Sequence, residues 1–157
     1  MLKAVASVRD IAKADWDRLA NPQGVAFNPL ASHDFFRCLE DAGCAVRKTG
    51  WAGRHLVLSD DGGAISGIAP CYRKSHSYGE YVFDHGWADA FQRAGGRYYP
   101  KLQCAVPFTP VTGPRLMAPS PEGRRALADG LVALCTEENA SSVHITFLPP
   151  AEAAAIG

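Results

Sequence analysis

The first residues carry a weak alternation. Leu2, Ala4 and Ala6 alternate with Lys3, Val5 and Ser7, so Leu2 to Val8 is expected as a strand. Ile11 to Ala20 reads as a short helix stopped at Asn21-Pro22, because a proline drives the residue before it out of the helical region. A new unit starts at Asn28-Pro29. Ser32 is a good N-cap, Asp34 favours the positive end of the helix dipole, and Phe35, Phe36 and Leu39 form one apolar face ending at Gly43. The spacing predicts a helix over Ser32 to Ala42.

The period then changes from helical to two. After Gly50-Trp51, His55-Leu56-Val57-Leu58-Ser59 reads as a strand, and Asp60-Asp61-Gly62-Gly63 as a tight hairpin turn, since Asp and Gly tolerate the positive φ such turns require. The return strand should run from Ala64 to about Tyr72, and Gly67 and Pro70 within it point to a bulge or an edge. Tyr78 to Phe83 and Leu102 to Phe108 are further strands, with a short helix over Ala88 to Ala94 between them. Pro107, Pro110 and Pro114 mark a loop. Ser120-Pro121-Glu122 is a compact helix start, and Leu127, Leu131, Leu134 and Cys135 make one buried stripe of a helix running to about Glu138. Ser142 to Leu148 follows as a strand, then Pro149-Pro150, and Ala151 to Ala155 begins another helix. Helices on both sides of an antiparallel run predict an α/β or α+β fold with one mixed sheet, closed by a right-handed parallel β-α-β crossover.

Composition narrows the function classes. The 157 residues suffice for one domain with a real core, and 47% apolar with 20% charged residues is ordinary for a soluble domain. Formal net charge is zero, so no large basic footprint marks the chain for DNA. No apolar run approaches the roughly 20 residues of a membrane span. The polar N-terminus does not read as a signal peptide, and five cysteines without a C-x-x-C fit a reducing cytoplasm. A zinc site is not expected from their spacing.

Candidate chemistry concentrates between Cys71 and Leu116, where aromatic residues are interleaved with His, Asp, Glu and Lys. Rings supply contact area and polar groups fix orientation, which is the composition of a ligand cleft. The alternative is a set of half-buried rings at strand ends with their polar tips in water.

These residues also carry a resemblance. Asn28-Pro29-Leu30 with Ser32-His33, Gly50-Trp51 with His55-Leu56, the run Lys74 to Asp84, Trp87-Ala88-Asp89-Ala90, Tyr98 to Leu102 and Val106 to Arg115 look like the bacterial FemAB-like family of N-acyltransferases. The similarity covers nearly the whole chain. It implies peptidoglycan biosynthesis or recognition and a GNAT-like fold. Members are more than twice this length, so the resemblance also implies one GNAT-like domain, residues 1–157, corresponding to the N-terminal half of a two-domain protein. In a GNAT fold the strands flanking the long helix splay to admit the acyl donor; here these would be Leu102 to Phe108 and Ser142 to Leu148.

The resemblance implies roles as well. No tightly bound cofactor is expected; acyl-CoA or aminoacyl-tRNA would be the donor substrate, and a small molecule or peptide the acceptor. Gly113, Arg115 and Arg124 lie where the donor's pyrophosphate would bind, although this stretch lacks the Gln/Arg-x-x-Gly-x-Gly/Ala signature and its prolines remove N–H donors. The neutral charge leaves tRNA binding to a basic surface outside this chain. Amide formation needs a base for the attacking ammonium, for which Glu80, Asp84 and His76 are candidates. Read as one strand, His76, Tyr78, Glu80 and Asp84 share a face, with Tyr81 and Phe83 turned into the core. Arg73, Lys74 and Lys101 would hold an acceptor carboxylate or phosphate, and Tyr78, Trp87 and Tyr98 would line the acceptor site. A non-catalytic half that recognises a muropeptide is the second reading. A small hydrolase or other cofactor-free enzyme is the third, though Ser75 and Ser77 lack the G-x-S-x-G elbow of the usual serine hydrolase. A metal cluster of His76, Glu80, His85 and Asp89 is not assigned. His76 and His85 have the competing reading of hydrogen-bonded structural histidines.

Overall fold

The computed structural model describes residues 1–78, 84–154 and 156. Its strands are β1 (Leu2–Val5), β2 (Trp51–Gly53), β3 (His55–Ser59), β4 (Ile65–Ala69), β5 (Cys71–Lys74), β6 (Lys101–Cys104) and β7 (Val143–Ile145). Its helices are α1 (Lys13–Ala20), α2 (His33–Asp41), α3 (His85–Arg93), α4 (Pro121–Glu137) and α5 (Pro150–Ala154). Two sheets result, in the orders β1-β3-β4 and β2-β5-β6-β7.

The two sheets are halves of one long hairpin. Leu56 pairs with Ala69 and Trp51 with Lys74, so the register is the same across the interruption at Arg54 and Pro70. Pro70 has no N–H to donate, but the Arg54 N–H bonds the Cys71 carbonyl at 2.8 Å and carries the register through. At the far end, Asp60 Oδ1 accepts the N–H groups of Gly62 and Ala64, and Gly63 takes φ 82°, so the turn forms where Asp-Asp-Gly-Gly predicts it. The expected bulge falls between Leu58 and Ser59, and β4 lies at the edge of its sheet.

Two core layers follow from strand alternation. Trp51, Val57, Ile68 and Tyr72 face one side, with Trp16 of α1 and Phe36 of α2. Leu56, Ala69, Cys71, Leu102 and Cys104 face the other, against Leu127, Leu131 and Leu134 of α4. The helix starts are set by local chemistry: Ser32 Oγ accepts from the Phe35 N–H, and Ser120 Oγ from the Gly123 N–H with Pro121 following it. The β6-α4-β7 crossover is parallel, Leu102 opposite Val143.

Four expectations are corrected. Trp51–Gly53 is a strand that so short a segment did not announce. The helix before Gly95 begins at His85, not Ala88. Tyr78 lies in a turn after β5 has ended, and the remainder of the strand expected to Phe83 lies outside the described residues. The strand expected from Leu102 to Phe108 stops at Cys104, and its parallel pairing with β7 covers Leu102 to Cys104 only.

Candidate functional site

Parity along β5 separates the basic residues that the sequence reading grouped together. Lys74 stands opposite Trp51 and Lys101, and Tyr72 stands opposite Gln103, so these side chains share the face turned away from α4. In the parallel register His144 continues that row beside Gln103. Arg73 points to the α4 side, where its Nε lies 3.3 Å from Glu138. Half of the sheet therefore buries a polar surface. Lys74, Lys101 and Gln103 are buried, although lysine is among the residues least often found inside.

Asp84 organises this surface. It precedes α3 and is buried. Its Oδ2 accepts from Lys101 Nζ at 2.5 Å and from the Tyr98 hydroxyl at 2.8 Å. The Tyr99 hydroxyl lies 3.0 Å from Oδ1 and 2.7 Å from Ser77 Oγ. Burial alone would raise the Asp84 pKa, but the bonds from Lys101, Ser77 and Tyr98 outweigh it and hold the carboxyl well below its ordinary value. Lys74 Nζ sits 3.4 Å from the centroid of the Trp51 ring, a cation over an aromatic face. Gln103 Nε2 donates to Thr146 Oγ1 at 3.0 Å.

Aromatic rings rim the network. Tyr78, Trp87 and Phe91 are 69%, 77% and 50% exposed, a high value for three large rings from neighbouring segments. Tyr98 joins the rim to the network, its ring 6.3 Å from Phe91 and its hydroxyl on Asp84. The His76 ring lies 4.9 Å from Tyr78, tilted at 46° to it, and packs over Gly50, where a Cβ would lie 2.5 Å from Nε2. His85 is exposed, 5.4 Å from Tyr78. Glu80 lies outside the described residues.

The proposed donor loop is filled by the chain itself. Arg115 is fully buried, and its guanidinium donates to the carbonyls of Val111, Pro114 and Thr146. The Gly113 N–H bonds the Phe147 carbonyl, and Arg124 Nε the Ala118 carbonyl. The backbone N–H groups of Arg115 and Leu116 do receive an anion, the Glu152 carboxylate of α5, at 3.0 and 2.8 Å. Gly113 and Arg115 thus tie the loop to the segment after β7, while Arg124 lines a separate pocket of about 580 Å³ with Pro114 and Glu152.

A second buried cluster escaped the sequence reading. Glu40 accepts from Ser7 Oγ at 2.5 Å, from the Val8 N–H, and from His55 Nε2 at 3.1 Å. His55 Nδ1 accepts the Cys71 N–H, which leaves Nε2 to donate to Glu40. The carboxylate lies between serine and histidine, so histidine cannot activate the serine, and the cluster ties β3 to α2. Its members lie 15 to 33 residues from Glu40 with no shared spacing, which leaves no local signal. Among the described residues no group of His, Cys, Asp and Glu is placed to hold a metal, and no helix is long and apolar enough to cross a membrane.

The fold and this surface define a mixed α/β domain whose sheet buries a lysine–carboxylate–tyrosine network beneath exposed rings. Within that class, the family model for FemAB-like peptidoglycan biosynthesis/recognition matches residues 7–157, and the chain belongs to this family. Its sphere is therefore peptidoglycan-related biosynthesis or recognition. Comparison with curated proteins and with solved structures gives no match.

Proposed function

We propose that this chain recognises a peptidoglycan-type peptide or sugar-peptide as the acceptor for N-acyl transfer. The observation that carries the reading is Asp84. A carboxylate tied to Lys101, Tyr98 and Ser77 and held anionic is a poor proton acceptor at neutral pH and a good anchor. It fixes Lys101 and Tyr98 behind the exposed rings of Tyr78 and Trp87, which suit stacking on a sugar or peptide face. Asp84 is thereby a positioning residue, which leaves Glu80 and His76 as candidate bases; His76 is half-exposed at the edge of the rim.

The filled loop at Gly113–Arg115 favours acceptor recognition over donor binding on this chain. An acyl-CoA or aminoacyl-tRNA donor would then be held by another domain or protein. A thermal-shift series with muropeptide, acetyl-CoA and aminoacyl-tRNA tests this. Muropeptide alone should raise Tm, and Trp87→Ala should remove the rise without lowering the Tm of the free protein, since Trp87 is exposed. Stabilisation by acetyl-CoA or aminoacyl-tRNA and not by muropeptide would reverse the assignment. The transferase reading has His76 in its favour: if His76 is the base, His76→Gln should lower the transfer rate and leave muropeptide affinity within about twofold.

A further inference from the structure

The β2 edge of the sheet holds a second concave surface, a trough of about 880 Å³ between the end of β1, the C-terminal ends of α2 and α4, and β2 itself. Four guanidinium groups from separate segments line it, those of Arg9, Arg47, Arg54 and Arg73, against the carboxylates of Glu40, Asp41 and Glu138. We propose that this trough is an oxyanion-binding site, taking a phosphoryl or carboxylate group of a ligand. It involves none of the Asp84 network and stands whether or not the acceptor reading holds.

The carboxylates in the trough are already engaged. Glu40 is held by Ser7, His55 and the Val8 N–H, and Asp41 by Arg9. Glu138 takes the Nε atoms of both Arg54 and Arg73, so one negative charge holds two forks. Among the described residues no hydrogen bond is made by the Nη atoms of Arg73 or by any guanidinium atom of Arg47. Arginine forks match phosphate and carboxylate oxygens two at a time, and forks already fixed in orientation lose less entropy on binding. The Arg54 and Arg73 side chains are only 34% and 36% exposed. An anion between them is screened less than on the open surface.

Calorimetric titration with inorganic pyrophosphate and, separately, citrate at low ionic strength tests the site. Saturable binding of at least one is expected, weakened about tenfold by Arg73→Gln and by Arg47→Gln, the loss of one charge-assisted hydrogen bond. Added salt should weaken it further, and Arg125→Gln, on the far exposed face of α4, should leave it unchanged. Binding of pyrophosphate alone assigns a phosphoryl ligand, and binding of citrate alone a carboxylate one. Arg47 has no described partner, so Arg47→Gln decides the matter if Arg73→Gln fails to fold. Absence of saturable binding for both anions, or wild-type affinity in the folded variants, overturns the proposal.

Discussion

At the scale of single residues, Asp84 joins the largest number of opposed effects. Its folded pKa lies below that of the unfolded chain, near the ordinary carboxylate value of about 3.9. The stability this adds is complete above the unfolded value, from about pH 5 upward, and fades as pH falls through 4 toward the folded value. Asp84→Asn leaves the Lys101 ammonium buried without its carboxylate, and removing one partner of such a pair costs about 3–5 kcal/mol. Urea denaturation at pH 7 should show that loss, and the gap between wild type and variant should narrow as pH drops below 4. Adding Lys101→Met to Asp84→Asn should restore part of the stability, because the stranded charge is gone. A gap of constant size from pH 7 to pH 3 would mean that the ion pair does not stabilise the fold.

At the scale of elements, the meeting of β1 and β2 depends on one missing side chain. A Cβ on Gly53 would lie 2.1 Å from the Ala6 carbonyl oxygen and 3.0 Å from its carbon, both backbone atoms that no rotamer change relieves. Gly53→Ala should therefore lower stability by at least about 2 kcal/mol in chemical denaturation, in the range of overpacked cores. A neutral result would show that β1 moves freely on β2. The same elements divide what was legible in the sequence from what was not. Helices α2 and α4 were legible because Ser32 and Ser120-Pro121 carry their capping chemistry locally, and the β3–β4 turn because Asp60 to Gly63 does the same. Strand β2 was illegible because three residues have no period, and only pairing with β5 makes them a strand. The site was legible as a region, Cys71 to Leu116, but not as a geometry. Adjacent positions on a strand face opposite ways, so strand parity alone separates Arg73 from Lys74, although their charge is the same. The Asp84 contacts with Tyr98, Tyr99 and Lys101 cross 14 to 17 residues between irregular segments, and no periodicity reports such closures.

At the scale of the whole molecule, one continuous hairpin carries an apolar face under α4 and a partly polar face opposite, and the cysteines measure how tightly the apolar side is sealed. Cys71 and Cys104 are direct cross-strand partners on β5 and β6, fully buried against the α4 stripe. Burial raises both thiol pKa values, that of Cys71 well above its ordinary value and that of Cys104 to about 12, so neither presents a thiolate near neutral pH. Cys38 and Cys44 are exposed, and Cys135 is intermediate. A disulfide reagent at pH 8 should therefore label Cys38 and Cys44 fast and Cys135 more slowly, and reach Cys71 and Cys104 only when the sheet opens. If α4 and the sheet separate as one cooperative unit, the rates at Cys71 and Cys104 should be equal and should rise with urea along the slope of global unfolding. Cys104 reacting well ahead of Cys71 would place the weak seam at the β6–β7 end, beside the loop that Arg115 and Glu152 hold shut. Glu152→Gln, which weakens the charge-assisted bonds to the N–H groups of Arg115 and Leu116, should then accelerate Cys104 selectively. Equal acceleration of both thiols would instead assign the loop to the same cooperative unit as the core.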